Sequence, residues 1–304
     1  GAAARRRRRS RRPPPVGPLR PVDAPMNYRH AFHAGNFADV LKHATLARIL
    51  HHLSEKPAAF RVIDTHAGAG LYDLDGPEAN RTGEWRDGIA RVQAAAKPAA
   101  VADLLAPYLD VVTMLSGSEM RRYPGSPLLT AKLMRPQDRL VACELEPTAA
   151  AALAHALGRD ARAKTVAIDG WLALKAYIPP KERRGLVLID PPFEQPDEFQ
   201  RLAHGIVNAV RKWPTGVYLI WYPVKERRGP DTLVETLAAA GIPKLLRVSL
   251  DVGGHGDGLR STGLLVINPP WRLADELAVL LDWLVPVLSR GRGAGSRLDA
   301  VGAT

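Results

Sequence analysis

The sequence predicts an α/β fold with a mostly parallel sheet covered by helices on both faces. Short apolar runs of β character recur along the chain, stretches of helical spacing separate most of them, and the first is followed by a glycine-rich loop. From Met26 the chain opens with a helix, because Asp39 to Leu53 places Val40, Leu41, Ala44, Leu46, Ala47, Ile49, Leu50 and Leu53 at helical spacing before Pro57. Phe60 to Asp64 is the first predicted strand, and Thr65-His66-Ala67-Gly68-Ala69-Gly70 follows it. Further strands are predicted at Leu140 to Cys143, Thr165 to Ile168, Leu186 to Ile189, Val217 to Trp221, Leu245 to Leu250 and Gly263 to Ile267. Helices fall between most of them, at Pro147 to Leu157, Gly170 to Tyr177, Asp197 to Trp213 and Asp231 to Ala240.

No helix fits between the sixth and seventh runs, where Asp251 to Ser261 is rich in glycine, so that pair is expected to form an antiparallel hairpin. Six parallel strands with a reversed seventh is the architecture of class I methyltransferases that use S-adenosylmethionine. The interval from Gly70 to Glu144 far exceeds the roughly 20 residues between loop and acidic residue in a simple βαβ unit, so an insertion is expected at about 75–135. Within it Leu104 to Leu115 reads as helix, and Arg81-Thr82-Gly83 and Arg121 to Pro127 read as loops.

At 304 residues and 46% hydrophobic content the chain can bury a large core. The single cysteine, Cys143, excludes an internal disulfide framework and reads as a buried strand thiol, which fits a reducing cytoplasm. No apolar run reaches the roughly 18 residues of a membrane span, and Leu277 to Leu288 is interrupted by Asp282 and Pro286. The formal charge of +11 is uneven: residues 1–25 hold eight arginines and one aspartate, leaving 34 basic against 30 acidic residues, or +4. That leading Arg/Pro-rich segment is expected to be disordered. It reads either as a nonspecific RNA arm or, the favoured reading, as an upstream extension with Met26 as the natural start. The expected organisation is a methyltransferase domain over 26–288 and a flexible tail over 289–304.

Asp190-Pro191-Pro192-Phe193, at the end of a predicted strand, carries the most chemistry. An adenine 6-amino nitrogen is a poor nucleophile because its lone pair is delocalised into the ring, so a site must hold its N–H groups with fixed acceptors. Asp190 offers a carboxylate and Pro191 a backbone carbonyl, while the prolines stiffen the turn and Phe193 offers a face for stacking. Asn268-Pro269-Pro270-Trp271 fits the same pattern. Ligands of open α/β sheets bind beyond the carboxyl ends of parallel strands, so Asp190 is expected in the site and Asn268, after a reversed strand, at the opposite edge.

Gly68 and Gly70 allow close backbone approach, and Asp73 replaces the third glycine of a dinucleotide fingerprint. No phosphate-binding Gly-Lys-Ser/Thr loop is present. Glu144 is placed to accept from ribose hydroxyls of an adenosyl group, and Asp169, before Gly170, from the cofactor's adenine amine. Each could equally be a helix cap. His30, His33, His43, His51 and His52 form no zinc motif, so no metal is expected, and His43 and His66 read as packing or hydrogen-bonding groups.

The segments Tyr28-Arg29-His30, Phe32 to Asn36, Ala38 to His43, Asp64 to Gly70, Tyr123 to Pro127 and Ile189 to Phe193 together closely resemble the RlmJ-type 23S ribosomal RNA adenine methyltransferases of bacteria. The likeness runs from about Met26 through Trp271 and beyond. It implies methylation of the exocyclic amine of adenine 2030, on free or partly assembled 23S RNA, by a cytoplasmic protein expected to be a monomer. It implies Asp190 as the catalytic acceptor, a cofactor shell of Lys42, His43, His66, Ser126, Glu144, Asp169 and Gly170, and a substrate side at Tyr28, Arg29 and His30. Members mostly carry tyrosine after Asp-Pro-Pro, where this chain has Phe193; stacking survives and a phenolic hydrogen bond does not. DNA adenine methylation and a noncatalytic RNA-binding assembly factor are the alternatives.

Overall fold

Eight strands form one sheet in the order β10-β8-β9-β7-β6-β1-β4-β5 in the computed structural model, which describes residues 29–255 and 258–301. The strands are β1 (Arg61–Asp64), β4 (Arg139–Cys143), β5 (Ala163–Val166), β6 (Gly185–Ile189), β7 (Val217–Pro223), β8 (Leu245–Asp251), β9 (Ser261–Ile267) and β10 (Gly295–Val301). Two more, β2 (Leu71–Asp73) and β3 (Arg122–Pro124), make a small antiparallel ribbon beside the glycine loop. The helices are α1 (Phe37–Ser54), α2 (Pro77–Thr82), α3 (Glu84–Asp87), α4 (Ile89–Ala94), α5 (Ala99–Ser116), α6 (Ser126–Leu133), α7 (Pro147–Leu157), α8 (Gly170–Ala176), α9 (Glu198–Lys212), α10 (Arg228–Ala239) and α11 (Leu273–Leu288). The Arg/Pro-rich leader and Tyr28 lie outside the described residues.

From β5 to β7 every neighbouring pair is parallel, and β9 runs antiparallel between β7 and β8, which gives the expected hairpin. The expected strand count of seven is corrected to eight. Residues 289–304, expected as a flexible tail, contribute β10, which pairs antiparallel with β8 from Gly295↔Asp251 to Val301↔Leu245. An open strand edge offers unpaired N–H and C=O groups, and pairing there orders a segment whose own composition does not demand a strand.

Alternating residues divide the core between the faces, as a two-residue period requires. Val62, Leu186 and Leu188 face the layer containing α1, α5, α6 and α11, whereas Ile63, Val187 and Ile189 face α9 and α10. Both faces being covered, β6 is buried at every position and reads as a continuous apolar run. One described helix, α5, is long and apolar enough to cross a membrane by length and composition. Its Val101, Leu105, Tyr108 and Val112 are buried in the core shared with α1 and α11, the packing of a globular core helix.

Candidate active site

The parallel strands deliver their loops to one edge of the sheet, and α1 crosses that edge. Asn36 caps α1, its Oδ1 accepting from the N–H groups of Ala38 and Asp39 at 3.0 Å each. This entry turn places Asp39 and Lys42 one helical turn apart, facing the end of β6. Asp39, 2% exposed, accepts from Gly35 N–H at 2.9 Å and pairs with His30 Nε2 at 2.9 Å. Lys42 Nζ lies 2.9 Å from Asp39 Oδ1 and 2.5 Å from Asp190 Oδ2, so a continuous chain joins His30, Asp39, Lys42 and Asp190. Burial works to lower the Lys42 pKa, but the carboxylates of Asp190 and Asp39 outweigh it and hold the ammonium well above its usual range. Burial likewise opposes ionisation of Asp39, and His30 and Lys42 overcome it.

Asp64 ends β1 beneath the glycine loop. Ser126 Oγ, at the first position of α6, donates to Asp64 Oδ2 at 2.7 Å, while Asp64 Oδ1 is buried without a hydrogen-bond partner. Burial pushes this carboxyl up to about 7, against the Ser126 hydrogen bond, and nearby Asp190 adds to the rise. Thr65 spends its hydroxyl proton on Leu188 O at 2.9 Å, so His66 Nδ1, 2.8 Å from the same hydroxyl, must carry a hydrogen. Burial pulls His66 down to about 4, opposed by the negative charges of Asp190 and Asp169.

Glu144 follows β4 and accepts from Gly68 N–H through Oε2 and from Glu146 N–H through Oε1, both at 2.8 Å. Asp169 caps α8 by accepting from Leu172 N–H at 3.0 Å. The cap reading and the pocket reading therefore coexist at Asp169, because each carboxylate oxygen carries a second lone pair. Gly68 has φ of +62°, and a Cβ there would lie 2.3 Å from the Tyr72 hydroxyl that accepts from Ala69 N–H. Gly68→Ala is expected to weaken cofactor binding roughly tenfold, since a side chain in left-handed backbone costs about 1–2 kcal/mol and displaces that hydroxyl. Calorimetry with S-adenosylmethionine checks this, and unchanged affinity would refute the packing argument.

Asp190, Pro191 and Phe193 form the turn after β6. Phe193 adopts φ of +51° and packs its ring against Phe199, at 4.9 Å between centroids, and Trp221, at 5.8 Å. Arg29 pairs with Glu78 on α2 at 2.9 Å, drawing the amino-terminal segment against the inserted helices. The second proline turn lies at the other edge: Asn268 Nδ2 donates to the carbonyls of Pro214 and Gly216, both at 2.8 Å, ahead of β7, and Trp271 is 82% exposed.

His43, also expected in the shell, lies deeper than its neighbours. His43 is 1% exposed, its Nδ1 is 2.7 Å from the Tyr123 hydroxyl, and Tyr123 in turn contacts the Tyr108 hydroxyl at 2.8 Å. One residue past Lys42 the helical period turns the side chain inward, and its Nε2 stays 4.0 Å from Asp39 Oδ1. Burial keeps it neutral, with a pKa lowered to about 3. The unfolded imidazole protonates near 6.5 and the folded one resists until about 3, so this contribution to stability is full above about 6.5 and is lost as pH falls towards 3. His43→Gln is expected to narrow the gap in urea midpoint between about pH 7 and about pH 4; an unchanged gap would contradict it.

Sequence reasoning omitted Asp39, Asp64, Tyr72 and Trp221. Asp64 carried a usable signal, being the acid at the end of the first predicted strand, directly before the glycines.

Eight strands in this order, a glycine loop after β1 and acids at consecutive strand ends define a class I methyltransferase, and S-adenosylmethionine is its cofactor. The unpartnered Asp64 Oδ1 and the glycine backbone beside Glu144 suit the ammonium and adenosyl groups of that molecule. Residues 57–299 match the family model described as "Ribosomal RNA large subunit methyltransferase D, RlmJ", and the chain belongs to this family of enzymes that methylate large-subunit ribosomal RNA. It is 43% identical over 263 residues to ribosomal RNA large subunit methyltransferase J of Escherichia coli K12, covering 85% of this chain and 92% of the relative. It is 39% identical over 267 residues to the protein of that name from Haemophilus influenzae, covering 86% and 94%. A crystal structure of protein LPL1258 from Legionella pneumophila superposes with a TM-score of 0.80 at 31% identity, over 88% of this chain and 98% of that one.

Proposed function

We propose that this protein methylates the exocyclic N6 amine of one adenine of 23S ribosomal RNA, by resemblance adenine 2030, acting as a cytoplasmic monomer on free or partly assembled RNA. The supporting observation is the Asp190 carboxylate at the end of β6, pinned through Oδ2 by Lys42 and leaving Oδ1 for a ligand.

When bound, S-adenosylmethionine supplies an electrophilic methyl group on a sulfonium. Lys42, His43, His66, Gly68, Gly70, Ser126, Glu144, Asp169, Gly170 and Asp190 would hold it, joined by Asp64, with Asp64 Oδ1 taking its ammonium and Glu144 its ribose hydroxyls. Asp190 Oδ1 and the Pro191 carbonyl accept the two N–H bonds of the target amine, drawing nitrogen lone-pair density out of ring conjugation. Asp190 is also the group placed to take the proton that the amine must lose. Phe193 stacks on the base, and Tyr28, Arg29 and His30 are the substrate-side residues that the resemblance implies. Because Lys42 and Asp39 fix the carboxylate beforehand, little reorganisation remains at the moment of transfer.

Mass mapping of methylated adenines in ribosomal RNA from cells with and without the gene tests the reading. One N6-methyladenine of 23S RNA is expected to disappear, and purified enzyme is expected to restore it on RNA and to ignore duplex DNA of the same sequence. Loss of no adenine mark, or equal activity on DNA, would overturn it.

A further inference from the structure

A second basic surface adjoins this site on the other face of the sheet. Helices α8 and α9 flank a groove of about 270 Å³, lined by Trp171 and Lys175 from α8 and by Arg201, His204, Asn208 and Lys212 from α9. The α9 residues recur at helical spacing on its solvent side, while Leu202, Ile206, Ala209 and Val210 anchor the opposite side in the core. A Cβ at Gly205 would lie 2.9 Å from the Trp171 ring, so that glycine lets the indole seat against α9 and form the groove wall. Lys175, Arg201, His204 and Lys212 are exposed; no carboxylate lines the groove itself, although the buried Glu198 lies 3.6 Å from the Arg201 guanidinium. Lys212 Nζ donates to the backbone carbonyl of Lys175 at 3.2 Å, tying the ends of α8 and α9 together.

At the other end the groove opens onto the active site. The Arg201 guanidinium lies 5.4 Å from the Trp171 ring centre, and Trp171 meets His66 of the glycine loop edge-on at 5.6 Å. From Arg201 to Lys212 the groove extends about 16 Å at 1.5 Å per helical residue, long enough for more than one phosphate. A concave strip lined by basic side chains, with an aromatic at its mouth, matches the chemistry of single-stranded nucleic acid, where cations track phosphates and rings stack on bases. The body of the chain carries only +4, so this charge is local rather than a general excess.

We propose that the α8–α9 groove binds single-stranded ribosomal RNA flanking the target base, with Lys175, His204 and Lys212 on phosphates and the Trp171–Arg201 pair against a base or ribose. This rests on the reading of the protein as an RNA base methyltransferase, and it adds a path for the strand as it leaves the catalytic pocket.

The test uses the full chain and a 20-nucleotide oligoadenylate, whose binding is read without any methylation. Lys175→Glu with Lys212→Glu is expected to weaken binding about tenfold or more and, with two phosphate contacts gone, to flatten the slope of log K against log salt by about 1.4. Lys175→Gln with Lys212→Gln gives the same flattening with a smaller loss of affinity, which guards against a folding defect in the reversed variant. S-adenosylmethionine affinity is expected to stay unchanged in both. Equal oligoadenylate affinity and slope in wild type and variants would overturn the proposal and leave the groove as a solvated helix face. If the binding contrast holds while the wild type leaves no N6-methyladenine in 23S RNA, the assignment of the reaction falls and the groove stands.

Discussion

Asp190→Ala is expected to abolish methylation of ribosomal RNA, with a fall in kcat of roughly a hundredfold to a thousandfold or more, while S-adenosylmethionine binding changes little. Asp190 is the one carboxylate at this edge that combines an ion pair on one oxygen with a position in the stiff Asp-Pro-Pro turn; Glu144 and Asp169 instead accept from backbone N–H groups. On the proposed reading, removing it takes away the acceptor of the amine, whereas Asp64, Glu144 and the glycine loop are left in place for the cofactor. Single-turnover methylation, with calorimetry for the cofactor, separates the two effects. A variant that methylates at the normal rate would refute the catalytic assignment. Asp190→Asn is also expected to fail, because an amide oriented by Lys42 presents its oxygen to the ammonium and its NH2 to the substrate, a donor facing donors.

Lys42→Met is expected to cost about 3–5 kcal/mol of folding stability, the usual scale for stripping one partner from a buried ion pair. Lys42 is almost fully buried and serves two carboxylates at once, so its loss leaves Asp39 facing Asp190 without the cation between them. Urea unfolding of Lys42→Met, Asp39→Asn and the double variant forms a cycle. The double variant is expected to be more stable than Lys42→Met alone, since neutralising Asp39 removes the uncompensated charge. A loss below about 1 kcal/mol in Lys42→Met would mean that the pair is structurally dispensable. Methyl transfer is also expected to fall, because Asp190 loses the contact that orients it.

Local pattern made much of the sheet legible. The runs Leu186 to Ile189 and Val217 to Trp221 are strands because both sheet faces are covered, which makes them continuously apolar. Pro147 to Leu157 is a helix with the predicted bounds, started by Pro147 and capped by Glu146. Weaker periodicity misled. The third strand runs Ala163–Val166 rather than Thr165 to Ile168, because pairing with Leu140 to Cys143 sets its register at the sheet edge. Arg81-Thr82-Gly83 reads as a loop, yet Arg81 and Thr82 end α2, which Gly83 terminates at φ of +65°. The ribbon of β2 and β3 is too short to leave any period, and β10 owes its order to the exposed edge of β8.

What the sequence by itself determined was the α/β class, the hairpin that reverses one strand, and the placement of Asp190 and Asn268 at opposite ends of the sheet. Each follows from a local period or from strand polarity, which neighbouring residues encode. Only the tertiary structure decided that His43 is buried against Tyr123, that Asp64 is a buried acid with an unpartnered oxygen, and that Asp39 and Lys42 hold Asp190. Lys42 and Asp190 are 148 positions apart, and the free energy of such a contact comes from shared burial, a property that no stretch of chain possesses before the sheet has brought its ends together.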